Sequence, residues 1–436
     1  MDNCSLEMQR ETTREPYWRA LADKVGGEVG ERLVEAIKDL YSIYSPDVID
    51  WFASLYDVKT GGYYYSASAR DNDSREHKGK TVLLLPDLES TWQALEFIIT
   101  SGMINDFDRK LANALPTWMQ DDIANWTINM QDEDGYFYHK QWGKNIGLSR
   151  RGRDLSWGNL ILDKFGREKK YISISDGEKV KESTTITIPE HLQSKENFAK
   201  YLESKNINEG VNSYVLGNAL ISQQAAIKQA GRMEQCIEFL NAHQLDNGLW
   251  HGEENYGSVN GAMKITCVYN AAHVIIPQAK KIARSAIRVL LSSESVEAAV
   301  DLFNPWFAIS NLLRSLRDCG DDGNREADEI LAEVRAAAPE AILATKRKVL
   351  VFKKESGSFS YLIDSSAPNS QGMPVALENS WEGDINGYLL SASGLISQIY
   401  RALELTACKV PLFTRCDFDR YMGILEAKKN YNEKKS

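Results

Sequence analysis

The chain has 436 residues, of which 43% are hydrophobic and 26% charged, with a formal net charge of -10 at pH 7. That balance is ordinary for a globular protein, and the acidic excess argues against a general nucleic-acid binder. No apolar run reaches the roughly 18 residues that a membrane span needs, and six cysteines without a CxxC pair read as free thiols in a reducing compartment.

The first segment, residues 1–21, is polar and lacks the apolar core of a signal peptide, so a cytoplasmic location is expected. Residues 28–42 place Val29, Leu33, Ala36, Ile37 and Leu40 on one face at helical spacing. Similar stripes predict helices over 88–100, 212–230, 233–243, 258–276, 278–292, 305–317, 324–337 and 383–404. Asp87 or Ser90 can cap the first of these, and Asp87 and Glu89 stay open as cavity acids. Residues 139–157 read as a basic loop with Arg150, Arg151 and Arg153 between Trp142 and Trp157. Arginine forks bind carboxylate or sulfate, and tryptophan faces stack on sugar rings. A solvated loop paired with nearby acids explains the same residues.

Further on, residues 166–210 read as a hydrophilic insertion with a small hairpin, 171–175 against 184–188, and a short helix from Ser194. Residues 251–270 carry His251, Glu253, Glu254 and Tyr256 in a loop, then Asn260, Lys264, Tyr269 and Asn270 on a helix. Asn260 and Lys264, four apart, share a face. These residues line a ligand cavity or form a polar network that seals the helix packing. In 376–393, Glu378, Glu382 and Asp384 put three carboxylates within seven residues, where mutual repulsion can raise a pKa to that of a general acid. Helix capping accounts for Asp384 equally well. The lysine-rich end, 428–436, reads as a frayed tail.

Four loops share one pattern: a polar stretch, then glycine, then aromatic residues, around Gly62, Gly135, Gly248 and Gly357. The expected structure is a helix end, a tight turn with glycine at positive φ, and an aromatic plug between neighbouring hairpins. Gln131–Phe137 and Gln244–Trp250 approximate Q-x-x-D-G-x-W/F, and this resembles the repeat of squalene cyclases and protein prenyltransferases. The resemblance implies an all-α fold, an α/α toroid of helical hairpins, over a single domain spanning 1–436. Polysaccharide lyases and several glycosidases use related toroids, so the fold alone does not fix the chemistry.

The cyclase DxDD acid and the prenyltransferase zinc ligands are missing, as are a P-loop, a GxGxxG and a G-x-S-x-G elbow, and no cofactor or metal is expected. The remaining expectation is cleavage of an acidic oligosaccharide, by a lyase or a hydrolase. For a lyase, His139, His251 or Tyr256 would be the base, Arg150, Arg153 or Asn260 the neutraliser, and Trp142, Trp157 and Trp306 the platforms. For a hydrolase, Glu253 or Glu254 would pair with Glu382 or Asp384. Lys264, Tyr269 and Glu378 complete the expected substrate contacts. A non-catalytic binding toroid or a terpenoid cyclase-like protein is the alternative.

Overall fold

A computed structural model describes residues 3–104 and 111–434. Helices dominate, and strands among the described residues are confined to two small ladders, Ser74–His77 with Lys80–Leu83 and Asn369–Ser370 with Met373–Pro374. The all-α class is therefore the observed one. None of the helices among the described residues is long and apolar enough to cross a membrane.

Six helical segments organise the centre: α1 (Leu88–Ser101), α2 (Leu148–Lys164), α3 (Asn212–Ser222), α4 (Tyr256–Ala272), α5 (Val300–Arg317) and α6 (Ile385–Ser391 continued by Ser393–Ala402). Each packs on the next in chain order, and α6 packs back on α1. Further helices pack against them: Thr117–Asn129 on α2, Met233–His243 on α4, Ala279–Leu291 on α4 and α5, and Gly320–Val349 on α5. The apolar core runs between these helices. Trp250, Trp306, Tyr269 and Phe97 are among its fully buried members.

The four glycine loops form one recurrent turn. The Asp132, Leu245 and Lys354 amides donate to the carbonyl four residues on, and the glycine amide donates back to the same residue at 2.8–3.0 Å. Gly135, Gly248 and Gly357 have φ of 81°, 85° and 78°, the region where only glycine avoids a Cβ penalty. In the first loop the positive-φ glycine is Gly61, at 87°, one residue before the expected Gly62, because that turn is one residue longer. Two residues after each turn glycine comes the plug: Tyr63, Phe137, Trp250 and Phe359, all at 0% exposure.

The glutamine of the motif has a clear task. Gln131 Nε2 donates to Gly135 O at 3.2 Å and to Tyr171 O at 2.9 Å. Gln244 Nε2 repeats this with Gly248 O at 2.8 Å and Pro277 O at 2.9 Å. Each side chain thus ties its own turn to the segment beside it.

Three local expectations need correcting. The basic loop is helical from Leu148 onward, so a helix follows all four turns. The 166–210 segment contains no strand; it is tied instead to the Gly135 turn, by the Tyr171 amide donating to Gln131 Oε1 at 2.8 Å and the Thr185 hydroxyl donating to Glu133 O at 2.5 Å. Its helix, Lys195–Glu203, is capped as expected by Ser194, whose side chain accepts from Asn197 N. The final helix runs over Arg415–Glu433, and Lys428 Nζ donates to Ala53 O at 2.8 Å, so the expected frayed tail is helical as far as Glu433, its last two residues lying outside the described residues.

Candidate functional site

Near the N-terminal turns of α1 and α2 lies a buried charged centre. Asp87 caps α1, its Oδ1 accepting from Glu89 N and Ser90 N at 3.0 and 3.1 Å. Arg150, fully buried, reaches across from α2. Its Nε donates to Asp154 at 3.0 Å, Nη1 to Glu89 at 3.0 Å and Nη2 to Asp87 at 3.1 Å. The guanidinium also lies over the Trp142 and Trp157 rings, 4.3 and 5.4 Å from their centres. His139 lies edge-on to Trp142, its Nε2 3.4 Å from Asp154 Oδ1 but outside hydrogen-bond geometry.

This arrangement corrects the expectation that Arg150 holds a substrate anion. Three carboxylates and two indoles already occupy the guanidinium. Burial works against its charge, but Asp154, Asp87 and Glu89 outweigh that and hold its proton more tightly than usual. Asp154 answers in kind: burial opposes its charge, yet Arg150 and His139 keep it below the ordinary carboxylate range. Glu89 is left with the excess, and burial pushes its carboxyl up to about 6. Trp142 and Trp157 are walls of this centre rather than open sugar platforms, and His139 is buried beneath them.

One helical turn along α2 the situation reverses. Arg153 is half-buried, and Nη2 donates to Asn218 Oδ1 of α3 at 2.9 Å, while Nε has no partner. Lys264 of α4 is half-buried too, its ammonium 5.3 Å from the ring centre of Tyr214 on α3. Burial first, then the charge of Arg153, brings the Lys264 pKa down to about 7. Neither cation forms an ion pair among the described residues. A hairpin tip closes over this group: Gln371 Oε1 accepts from Asn218 Nδ2 at 3.1 Å, and neighbouring Ser370 donates to Glu89.

The other expected residues divide by what they touch. Asn260 donates to Asp301 at 2.8 Å and accepts from Asn304 at 2.9 Å, so it seals α4 to α5. Tyr269 donates its hydroxyl to Asn241, and Trp306 donates to Thr345 of the Gly320–Val349 helix at 3.2 Å. Tyr256 accepts from Lys348 of the same helix at 2.6 Å. Glu253 is exposed, and Glu254 pairs with Arg288. His251 Nδ1 accepts from the Glu253 amide at 3.1 Å within its own loop.

Around α6, Asp384 is the N-cap, accepting from Gly387 N at 2.7 Å and Tyr361 N at 2.8 Å, fully buried with its carboxyl raised by that burial to about 7. Glu382 clamps a loop, accepting from Ser68 N at 2.8 Å and Ser366 Oγ at 3.2 Å. Glu378 is exposed, 3.4 Å from Arg75. The three acids therefore do not share a site.

Sequence reasoning missed Tyr214, Asn218, Gln371 and Tyr361. The first two sit in a stripe that reads as plain amphipathic helix. Tyr361 follows the Gly357 turn without a polar pattern of its own, and Gln371 lies in an irregular loop whose only signal is the Gln371–Gly372 turn, at φ 48° and 82°. No three His, Cys, Asp or Glu side chains come together as metal ligands among the described residues. Comparison with family models, curated proteins and solved structures finds no match for this chain.

Proposed function

We propose that α1–α6 close into the inner ring of an α/α toroid, and that the protein cleaves an acidic oligosaccharide by β-elimination inside it. The observation that carries this reading is Arg153, a cation with no carboxylate partner, set near Lys264, whose pKa is brought down to about 7. An unpaired buried charge is costly, and a bound carboxylate removes that cost. The Arg153 fork and the Asn218 amide can hold a uronate carboxylate and spread its charge. Acidity at the adjacent carbon then rises. Lys264, neutral above pH about 7, takes that proton as general base. The C–H electrons form the ring double bond, the glycosidic C–O bond breaks, and the departing oxygen needs a proton. Tyr214, beside Lys264 and protonated because burial raises its pKa, is placed to give it. Lys264 then returns its proton to the tyrosine.

Hydrolysis is the second reading, favoured by the raised carboxyls of Glu89 and Asp384. Both are engaged in hydrogen bonds and almost wholly buried, which ranks them below the open cations. The test is a panel of uronate tetrasaccharides (galacturonate, alginate and unsulfated glycosaminoglycan). Products are read by the absorbance of an unsaturated uronate and by reducing ends. Reducing ends without the absorbance would replace elimination by hydrolysis, and neither signal would leave a binding protein.

A further inference from the structure

A second site lies outside the ring, where the first two glycine turns face each other. The groove there measures about 570 Å³. Its floor is one face of the Thr117–Asn129 helix, where Asp122, Asn125, Trp126 and Asn129 recur at i, i+3, i+4 and i+7. Lys140 and Gln141 line the opposite wall. Trp126 is seated by a glycine that the turn itself does not need. A Cβ on Gly62 would come within 2.6 Å of Pro86 and 2.8 Å of the Trp126 ring. Gly62 therefore serves close approach, and the indole is held half-buried with surface left in the groove.

The polar groups around that indole are amides with spare capacity. The Asn125 and Asn129 side chains make no hydrogen bond among the described residues. Gln141 uses only its amino group, at 3.4 and 3.5 Å, on the carbonyls of Leu85 and Pro86. Asp122 is already opposed by Lys429 at 3.9 Å. A flat aromatic face flanked by uncommitted amide donors and acceptors matches a pyranose, which offers an apolar C–H face and a rim of hydroxyls.

We infer that this groove is a saccharide-binding site for an uncharged hexose segment, with Trp126 as platform and Asn125, Asn129 and Gln141 as hydroxyl partners. The site does not depend on what the ring interior catalyses. Titration calorimetry with maltohexaose, cellohexaose and mannohexaose tests it. At least one binds the wild-type protein, and Trp126→Ala weakens it about tenfold or more, the scale of a central aromatic contact. The exposed pair Asn125→Ala and Asn129→Ala, which leaves the core untouched, also weakens binding and covers the case in which Trp126→Ala fails to fold. Arg153→Ala, in the ring, leaves hexose binding unchanged. Binding of none of the three by the wild-type protein overturns the inference. So does affinity indifferent to both groove variants, or binding lost in Arg153→Ala.

Discussion

Arg150 and Arg153 lie three residues apart on α2 and have opposite fates. The first is buried among Asp87, Glu89 and Asp154; the second faces the interior with one amide partner. Arg150→Met should strand three buried carboxylates and cost about 3–5 kcal/mol, read as a large fall in melting temperature. Arg153→Ala should leave melting nearly unchanged and weaken uronate-tetrasaccharide binding. Losing a charge-assisted hydrogen bond of about 1.5–3 kcal/mol corresponds to roughly tenfold to hundredfold. If both variants melt alike, the division between structural and ligand arginine fails. Lys264 sets the pH dependence. Its pKa falls from the ordinary 10.5 to about 7, so the folded state binds fewer protons than the unfolded one between those values. Its cost to stability is therefore greatest below pH 7 and fades as pH rises. Glu89, raised to about 6, acts the other way, its stabilising contribution present at low pH and lost as pH rises through 6. An amine base works only when neutral, so kcat/KM for elimination should climb through pH about 7 and level off above it. A limb that falls through the same pH would assign the base elsewhere.

At the scale of elements, the glycine turn was the most readable feature, because its chemistry is local. A glycine at positive φ and an aromatic residue two positions later need no knowledge of the rest of the chain. The turn glycine is Gly61 rather than Gly62 because one extra residue in that loop leaves the sequence pattern intact. Helix α2 was unreadable for the opposite reason. Its arginines and glycines look like a loop, yet Gly152 and Gly158 are demanded by packing: a Cβ would sit 2.0 Å from Ser222 O and 2.9 Å from the Phe137 ring. Close approach of two elements leaves no local signature. The turn can be tested by comparing Gly135→Ala with Gly143→Ala. Both have positive φ, but a Cβ at Gly135 would meet Ile172 O at 2.3 Å, whereas nothing lies within 4 Å at Gly143. Gly143→Ala should cost the backbone term alone, about 1–3 kcal/mol, and Gly135→Ala clearly more. Gln244→Met should cost about 1–3 kcal/mol by leaving the Gly248 and Pro277 carbonyls unsatisfied. Equal melting of Gln244→Met and wild type would mean that the glutamine tie is incidental.

At the scale of the whole molecule, the interior site joins α2, α3 and α4 with a hairpin tip more than a hundred residues downstream. Residue types were visible in the sequence, and so the Arg-rich stretch and Lys264 were singled out. Which of them share a space depends on the closing contact between α6 and α1 and on the tip carrying Gln371, and neither follows from local pattern. That is why Tyr269, Trp306 and Tyr256, polar or aromatic and suitably spaced, are instead engaged with Asn241, Thr345 and Lys348. The claim that organises the molecule is that its centre accepts a uronate and eliminates across it. The most direct measurement is time-resolved ultraviolet absorbance of the protein with uronate tetrasaccharides, run in parallel with Lys264→Ala and Arg153→Ala. The account predicts an unsaturated-uronate signal from the wild-type protein that both variants abolish while keeping their melting temperatures. A wild-type signal that survives in both variants, or reducing ends that appear without any unsaturated product, would contradict it.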